Sequence, residues 1–393
     1  MSESERCDHA DDRGGASLDN TRSGPNDRSA FPASQPDMVP EVVLSVVMPN
    51  YNHASYLSTA LNAILAQKVL PDEIVIVDDG STDDSRSLIE HWMSRESRIR
   101  AVFNLSNRGA IASINRGLEL ARGKYVCLMA ADDLAYPNFF SEALEALRNA
   151  PDVALCCAEA HVQSMDSPQQ KPELRPVIRP SHRFRSFLPL ETRRLLRYND
   201  HFVMPIATVF RRDLVMAEGS FDPELGSMAD GFLSKHLALK YGFCFIPKVV
   251  VKWQVRGDGL SRTNSRDLYA ARLMLEEAKR RIRLDPVFPT EYSELFDRRW
   301  RFASCRVALA SPVPDWDFLH SFGPRSPIDV NVLAIARKIG SKAGVCLALI
   351  WLTLRYRPYS LLALAETYLR RRWDALSWKS MPWRAESCTA KAD

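Results

Sequence analysis

Three carboxylate features could do chemistry in this chain: Asp78-Asp79, Asp132-Asp133 and Asp230. The first pair closes the apolar run EIVIV (73–77), and the second follows KYVCLM (124–129) and two alanines. A carboxylate at the end of a buried strand is costly unless a cation or hydrogen-bond donors meet it. Asp132-Asp133 suits Mg2+ or Mn2+, hard cations that take oxygen ligands and usually share them with substrate phosphates. Asp is also common as a helix N-cap or turn former, and residue type alone leaves that reading open. No G-x-G-x-x-G follows the first apolar run, and no G-x-x-x-x-G-K-[ST] occurs. Pro49-Asn50-Tyr51-Asn52 stands there instead. A nucleotide pocket without a phosphate loop remains available. Tyr51 offers a stacking face, Asp79 can accept from a base N–H, and a metal on Asp132-Asp133 can hold a diphosphate.

The elements that must position these groups follow a strand–helix rhythm. Val42 to Met48 is a β-branched run stopped by Pro49, which reads as a buried parallel strand. Apolar residues from Tyr56 to Leu65 then recur at helical spacing. Strands are expected at 73–77, 100–103 and 124–129, with helices at 81–92, 109–122 and 137–150. The economical solution is an α/β sheet with helices on both faces. In such a sheet, ligands bind outside the carboxyl ends of the strands. Residues 164–190, rich in Pro and basic side chains, are expected to form a long irregular loop. Structure resumes from 206 to 253, and the pattern from Arg266 onward is mostly helical.

Composition narrows the class. Hydrophobic residues make up 46% and charged residues 25% of 393, which excludes collagen, coiled-coil and wholly disordered chains. The net charge of +4 is uneven. Residues 1–40 carry four basic and eight acidic side chains, 41–265 balance, and 266–393 carry 22 basic against 14 acidic. The first 40 residues, with too little apolar surface to offset ordering entropy, read as a disordered tail. They contain no apolar signal core, so the chain is expected on the cytosolic side. The eight Cys are scattered, without a C-x-x-C pair, and read as thiols in a reducing compartment.

Four segments together carry a family resemblance: SVVMPNYNHASYL (45–57), EIVIVDDGSTDDS (73–85), NRGAIASINRGLELARGKYVCLMAADDL (107–134) and FDPELGSMADGFLSKHLALKYGFCFIP (221–247). In this order and spacing they resemble family 2 glycosyltransferases of the GT-A fold. The resemblance covers about residues 43–262. It implies a Rossmann-like mixed α/β sheet flanked by helices, with a helical C-terminal region appended. It divides the chain into a tail (1–40), a catalytic domain (41–265) and a basic helical region (266–393). It places Pro49 and Tyr51 against the nucleoside and gives Asp79 the base contact. Asn107, Arg108 and Ala112 line the donor pocket. Asp133 resembles the metal-binding Asp of the D-x-D signature, with Asp132 beside it, and Asp230 resembles the catalytic base.

The sequence departs from the pattern in three places. Ala130 stands where the signature usually has its first Asp, and Ala229 where an Asp-preceding Glu is usual. Arg256 stands where a His often precedes the Gly, and it can grip a phosphate but cannot ligate a metal. A surface Arg on a loop is the alternative there. The Q-x-x-R-W signature of processive members is absent, which favours single-sugar transfer.

The implied activity is metal-dependent, inverting transfer from a nucleotide sugar, commonly a UDP-sugar, to a hydroxyl of a saccharide or lipid-linked acceptor. Surface polysaccharide or glycolipid synthesis is the expected setting. A sugar nucleotidyltransferase would want a Gly-rich basic loop in place of Pro49-Asn50-Tyr51-Asn52. A non-catalytic relative is disfavoured by retention of both Asp133 and Asp230. Gly344 to Leu354 is apolar but shorter than the roughly 20 residues of a membrane span. Arg370-Arg371-Arg372 with Trp373, Trp378 and Trp383 suits an anionic membrane surface, making the expected localisation cytoplasmic or peripheral on the cytosolic face. No nucleic-acid-binding motif accompanies the Arg cluster, so no nucleic-acid partner is expected.

Overall fold

The first apolar run becomes β1, Leu44–Asn50, which lies between β2 (Glu73–Asp78) and β4 (Tyr125–Leu128) and is parallel to both. β3 (Ile99–Phe103) adds to the far side of β2. This is a computed structural model, and the structure describes residues 43–166, 171–175, 178–200, 202–256, 267–311 and 313–358, with Ala365, Tyr368 and Leu369. All belong to the unit Glu41–Asp393. The acidic tail, the 265/266 boundary and the basic Trp-bearing stretch from Arg370 lie outside the described residues.

The sheet continues past β4 through β9 (Thr208–Arg211), β6 (Leu155–Ser164) and β10 (Phe243–Val255) to β5 (Leu134–Ala135). β9 is antiparallel to both β4 and β6, so β4 and β6 share a direction, and β10 is parallel to β6. Thus β1, β2, β4, β6 and β10 all end at one edge. β1 to β3 step one way from the centre and β4 steps the other. This reversal opens a crevice at the ends of β1 and β4.

Burial on both faces explains the apolar strands. Leu44, Val46 and Met48 join a core with α1 (Ala54–Leu65) and α4 (Phe139–Asn149). Val47, pointing the other way, joins a second core with α3 (Ala110–Leu120) and α7 (Ala229–Tyr241). That second core also takes in the C-terminal helices: α8 (Leu268–Leu284), α9 (Tyr292–Leu309), α10 (Trp316–Phe322), α11 (Pro327–Ile339) and α12 (Ser341–Tyr356). Leu275, Cys305, Phe322, Ala336 and Leu352 are its buried anchors. Among the described residues, no helix is long and apolar enough to cross a membrane. The 344–354 run lies inside α12.

Two expectations change. Pro49 does not stop β1: it pairs with Val77 inside the strand. The reason is parity. The Val47 carbonyl accepts from Met129 on the β4 side, and the β1–β4 register ends at Val47 and Leu128. Pro49, two residues on, faces that same side beyond the ladder, where its missing N–H costs nothing. The 164–190 segment is not wholly irregular. It contains β7 (Glu173–Arg175) on β6 and β8 (Arg185–Phe187) on β10, then opens α5 (Pro189–Tyr198). Three-residue strands carry too little alternation to be legible.

α3 seats against β1 at Gly117, where an added Cβ would lie 2.3 Å from Val47 Cγ1. Gly117→Ala on an exposed helix would stabilise by about 1 kcal/mol. Here overpacking wins, and the substitution is expected to destabilise by about 1–3 kcal/mol. Urea unfolding checks the sign.

Candidate active site

At the shared strand edge, the loop after β1 and the loop after β2 are knotted together by side chains. Asp78 is buried, and its Oδ1 accepts from Asn50 Nδ2 at 2.7 Å and from Ser81 Oγ at 2.6 Å. Ser81 Oγ also accepts from the Asn52 amide at 2.9 Å, and Asn52 Oδ1 accepts from the Thr82 amide at 2.7 Å. Asn52 adopts a left-handed backbone at φ 55, a conformation Asn tolerates. Tyr51, the first residue past β1, is 41% exposed and free to offer its ring. Asn50 Oδ1 is buried with no hydrogen-bond partner.

Asp79 organises the neighbouring loop. Its Oδ1 accepts from Asn104 Nδ2 at 2.8 Å and the Arg108 amide at 3.0 Å, and its Oδ2 accepts from the Gly109 amide at 2.8 Å. One carboxylate thus sits at the N-terminus of α3, where free amides and the helix dipole favour negative charge. A carboxylate has about four acceptor positions, so one on Oδ2 stays open. Asn107 and Arg108 are exposed on this loop, and Asn107 Oδ1 accepts from the Gly109 amide at 2.9 Å. Ala112 lies in the first turn of α3. Gly80, at φ +73, lets the loops touch: a Cβ there would lie 2.8 Å from the Ser106 carbonyl carbon.

The second carboxylate pair meets the end of β10. Asp133 is 4% exposed, and its Oδ1 accepts from the Gln254 amide at 3.0 Å. Gln254 Nε2 donates to the Asp132 carbonyl. Burial pushes the Asp133 carboxyl well above the ordinary carboxylate range, and the Asp132 charge pushes it further; the Gln254 amide pulls back less. Asp132 Oδ2 lies 4.0 Å from His53 Nε2. Arg256, one residue past β10, brings its guanidinium within 3.0 Å of that same His53 nitrogen and stacks over the Tyr56 ring at 5.6 Å. Arg256 therefore lines the crevice with Asp132.

The donor set fits a divalent cation of the Mg2+ or Mn2+ type. Two adjacent carboxylates, one of them desolvated and held by a single protein donor, supply hard oxygens and an uncompensated charge. Among the described residues there is no group of three or more His, Cys, Asp and Glu side chains able to hold a metal. The rest of a coordination shell would therefore come from water and substrate oxygens.

Asp230 lies in the first turn of α7. Its Oδ1 accepts from the Gly231 amide. The turn at Gly242 reverses α7 into β10, so this first turn lies on the side where β10 ends. Burial pushes the Asp230 carboxyl up, while the Gly231 amide and the Lys235 charge pull it down. Burial likewise holds the Lys235 ammonium below its ordinary value, against the pull of Asp200 and Asp230. Behind it, Asp200 and Arg299, both 4% exposed, pair at 3.3 Å, and Tyr292 Oη donates to Asp200 at 3.1 Å.

Sequence reasoning missed His53, Gln254, Lys235 and Asp200. His53 sits inside the quoted 45–57 segment and Lys235 inside 221–247, five positions after Asp230, while Gln254 lies two positions before Arg256. No local signal marks Asp200.

Asp133→Asn is expected to stabilise the metal-free protein at neutral pH by on the order of 1 kcal/mol, because it removes a desolvated charge. A carboxyl with a raised folded pKa contributes stability at low pH that is lost as pH rises through that value. The gap between variant and parent should therefore narrow on acidification. Urea titrations in EDTA across pH check both points; a destabilised variant would contradict the geometry.

Residues 45–218 match the family model "Glycosyl transferase family 2". An uncharacterized glycosyltransferase of Escherichia coli K12, YibD, is 36% identical over 117 residues, 30% of this chain and 34% of that protein. The putative teichuronic acid biosynthesis glycosyltransferase TuaG of Bacillus subtilis is 35% identical over 91 residues, 23% of this chain and 36% of that protein. The match thus spans about a third of each relative's length. The crystal structure of S. aureus TarS 1-349 in complex with UDP-GlcNAc aligns over 80% of this chain and 91% of that one, with TM-score 0.52 at 15% identity. That likeness extends to the C-terminal helices, and it is one of fold. The family match ends before α7, so Asp230 stands on its own geometry. Over residues 45–218 the chain carries a family 2 glycosyltransferase domain, built on the GT-A fold.

Proposed function

We propose that the chain transfers a single sugar, with inversion, from a nucleotide sugar to a hydroxyl acceptor, with Mg2+ or Mn2+ at Asp132-Asp133. The observation that supports this reading is the placement of two carboxylates: Asp133, buried with the Gln254 amide as its one donor, and Asp230, in the first turn of α7 on the side where β10 ends. One demands a cation; the other is tuned toward proton transfer.

The roles follow from what each residue can reach. Tyr51 stacks on the nucleoside, Pro49 shapes the strand end beneath it, and Asp79 has one acceptor position left for a base N–H. Asn107, Arg108 and Ala112 wall the donor pocket, on a loop that Asp79 itself holds in place. Arg256 lies beside His53 and Asp132 and supplies a planar cation for a phosphate. The divalent cation, when bound, neutralises charge developing on the leaving diphosphate. Asp230 takes the proton from the attacking hydroxyl, and its raised pKa brings it nearer the operating pH. A single base without a partner nucleophile favours direct displacement.

The donor is proposed as a UDP-sugar, in keeping with the UDP-GlcNAc complex of TarS. The teichuronic acid relative supports a role in surface polysaccharide or glycolipid synthesis. The acceptor is proposed as a saccharide or lipid-linked saccharide, handled on the cytosolic face of a membrane.

A donor-hydrolysis screen of UDP-, GDP- and dTDP-sugars with Mg2+ or Mn2+ tests the reading; no turnover of any donor with either ion would sink it. Asp230→Asn should keep UDP binding and lose transfer, and normal turnover by it would remove Asp230 as the base. The acidic limb of the pH profile of kcat/KM should sit above the ordinary Asp value. Lys235→Met removes a cation that favours the charged carboxylate, so that limb should move to higher pH. A limb unmoved, or moved down, would separate Lys235 from the base.

A further inference from the structure

Away from the strand edge, the C-terminal helices line an open groove of about 580 Å³ between α8, α9, α10 and α12. Five arginines line it: Arg272, Arg298, Arg301, Arg325 and Arg355, against one acid, Glu276. Two of the five are matched elsewhere: Arg301 pairs with Asp297 at 3.0 Å and Arg355 with Asp329 at 3.2 Å. Glu276 is drawn to Lys279 at 3.2 Å. Arg272, Arg298 and Arg325 have no carboxylate partner among the described residues. Arg272 and Arg325 both donate to the Ser321 carbonyl, at the last turn of α10. The carbonyl end of a helix attracts cations, but one oxygen does not need two guanidiniums, and holding them together costs repulsion.

Tyr356 lines the groove at 7% exposure, while its hydroxyl is closed off from the groove and has no hydrogen-bond partner. A buried hydroxyl left unsatisfied is destabilising by itself. Leu275 and Pro324 give the floor an apolar character. The volume is in the range of small-molecule sites and leaves room beyond the phosphates themselves.

We propose that this groove binds a phosphate-bearing ligand, its phosphate oxygens taken by the guanidiniums of Arg272, Arg298 and Arg325. Arginine's planar fork suits phosphate. The same chemistry is offered by a free diphosphate and by a lipid headgroup. The site is separate from the donor crevice and does not depend on the transferase reading.

The test is a titration of the full chain with inorganic pyrophosphate in EDTA at low salt, by calorimetry. A parallel arm measures cosedimentation with phosphatidylcholine vesicles, with and without phosphatidylglycerol. Arg272→Gln/Arg325→Gln should weaken binding by about tenfold or more, and Arg298→Gln, an exposed side chain whose loss spares the fold, by severalfold. Tyr356→Phe should leave binding unchanged and thermal stability equal or higher, since it deletes an unsatisfied hydroxyl that is closed off from the groove. Loss seen in the pyrophosphate arm identifies a soluble ligand, and loss seen only with phosphatidylglycerol identifies a headgroup; either supports the site. Binding in neither arm, or binding that the arginine variants of the groove leave intact while Arg256→Gln abolishes it, would overturn the proposal.

Discussion

The carboxylate of Asp133 is buried beside Asp132, and the protein meets it with one donor, the Gln254 amide. Asp78 and Asp79 are equally buried at the same edge, yet hydrogen-bond donors surround them. A desolvated charge persists only if something compensates it. In Asp78 and Asp79 the compensation is internal, and those residues join loops. In Asp133 it is incomplete, which leaves the charge for a ligand. The whole strand edge is arranged around that difference: β10 must run out to Gln254 to supply the amide, and β4 must stop at Leu128 to let Asp133 turn inward. Sites that hold charge ready for a ligand commonly lower stability in its absence.

Much of this was legible in the sequence because burial on both faces writes itself as unbroken apolar runs. β1, β2 and β4, their directions, and the carboxylates at their ends followed from that signal and from the rule that ligands sit at carboxyl ends. What escaped was contact between distant segments. His53 meets Arg256 across 203 positions, and nothing local marks either as the other's neighbour. Pro49 misled for a related reason. A proline is excluded from a strand only where its N–H would be needed, and that depends on the neighbouring ladder's length, which no single strand encodes. The half-buried Lys235 and the buried Asp200 and Arg299 form a polar set that composition renders as ordinary charged residues.

The C-terminal helices are not an independent appendage. Val47 of the central strand and Leu352 of the last described helix belong to one apolar core. The helices therefore brace the face of the sheet that carries α3 and α7, the two helices whose first turns hold the Asn107–Gly109 loop and Asp230. This coupling explains why the helical part tolerates a strong positive excess. Its stability comes from the shared apolar face, while Arg272, Arg298 and Arg325 stay exposed and the buried Arg299 is paired with Asp200.

Charge is handled oppositely in the two regions. At the strand edge, acids are buried with few cations near them: Arg256 beside His53, and Lys235 behind Asp230. In the helical region, arginines outnumber acids and three lack a carboxylate partner around an open groove. Each arrangement leaves like charge under-compensated within the chain, carboxylate at the strand edge and guanidinium among the helices, and the two share one apolar core.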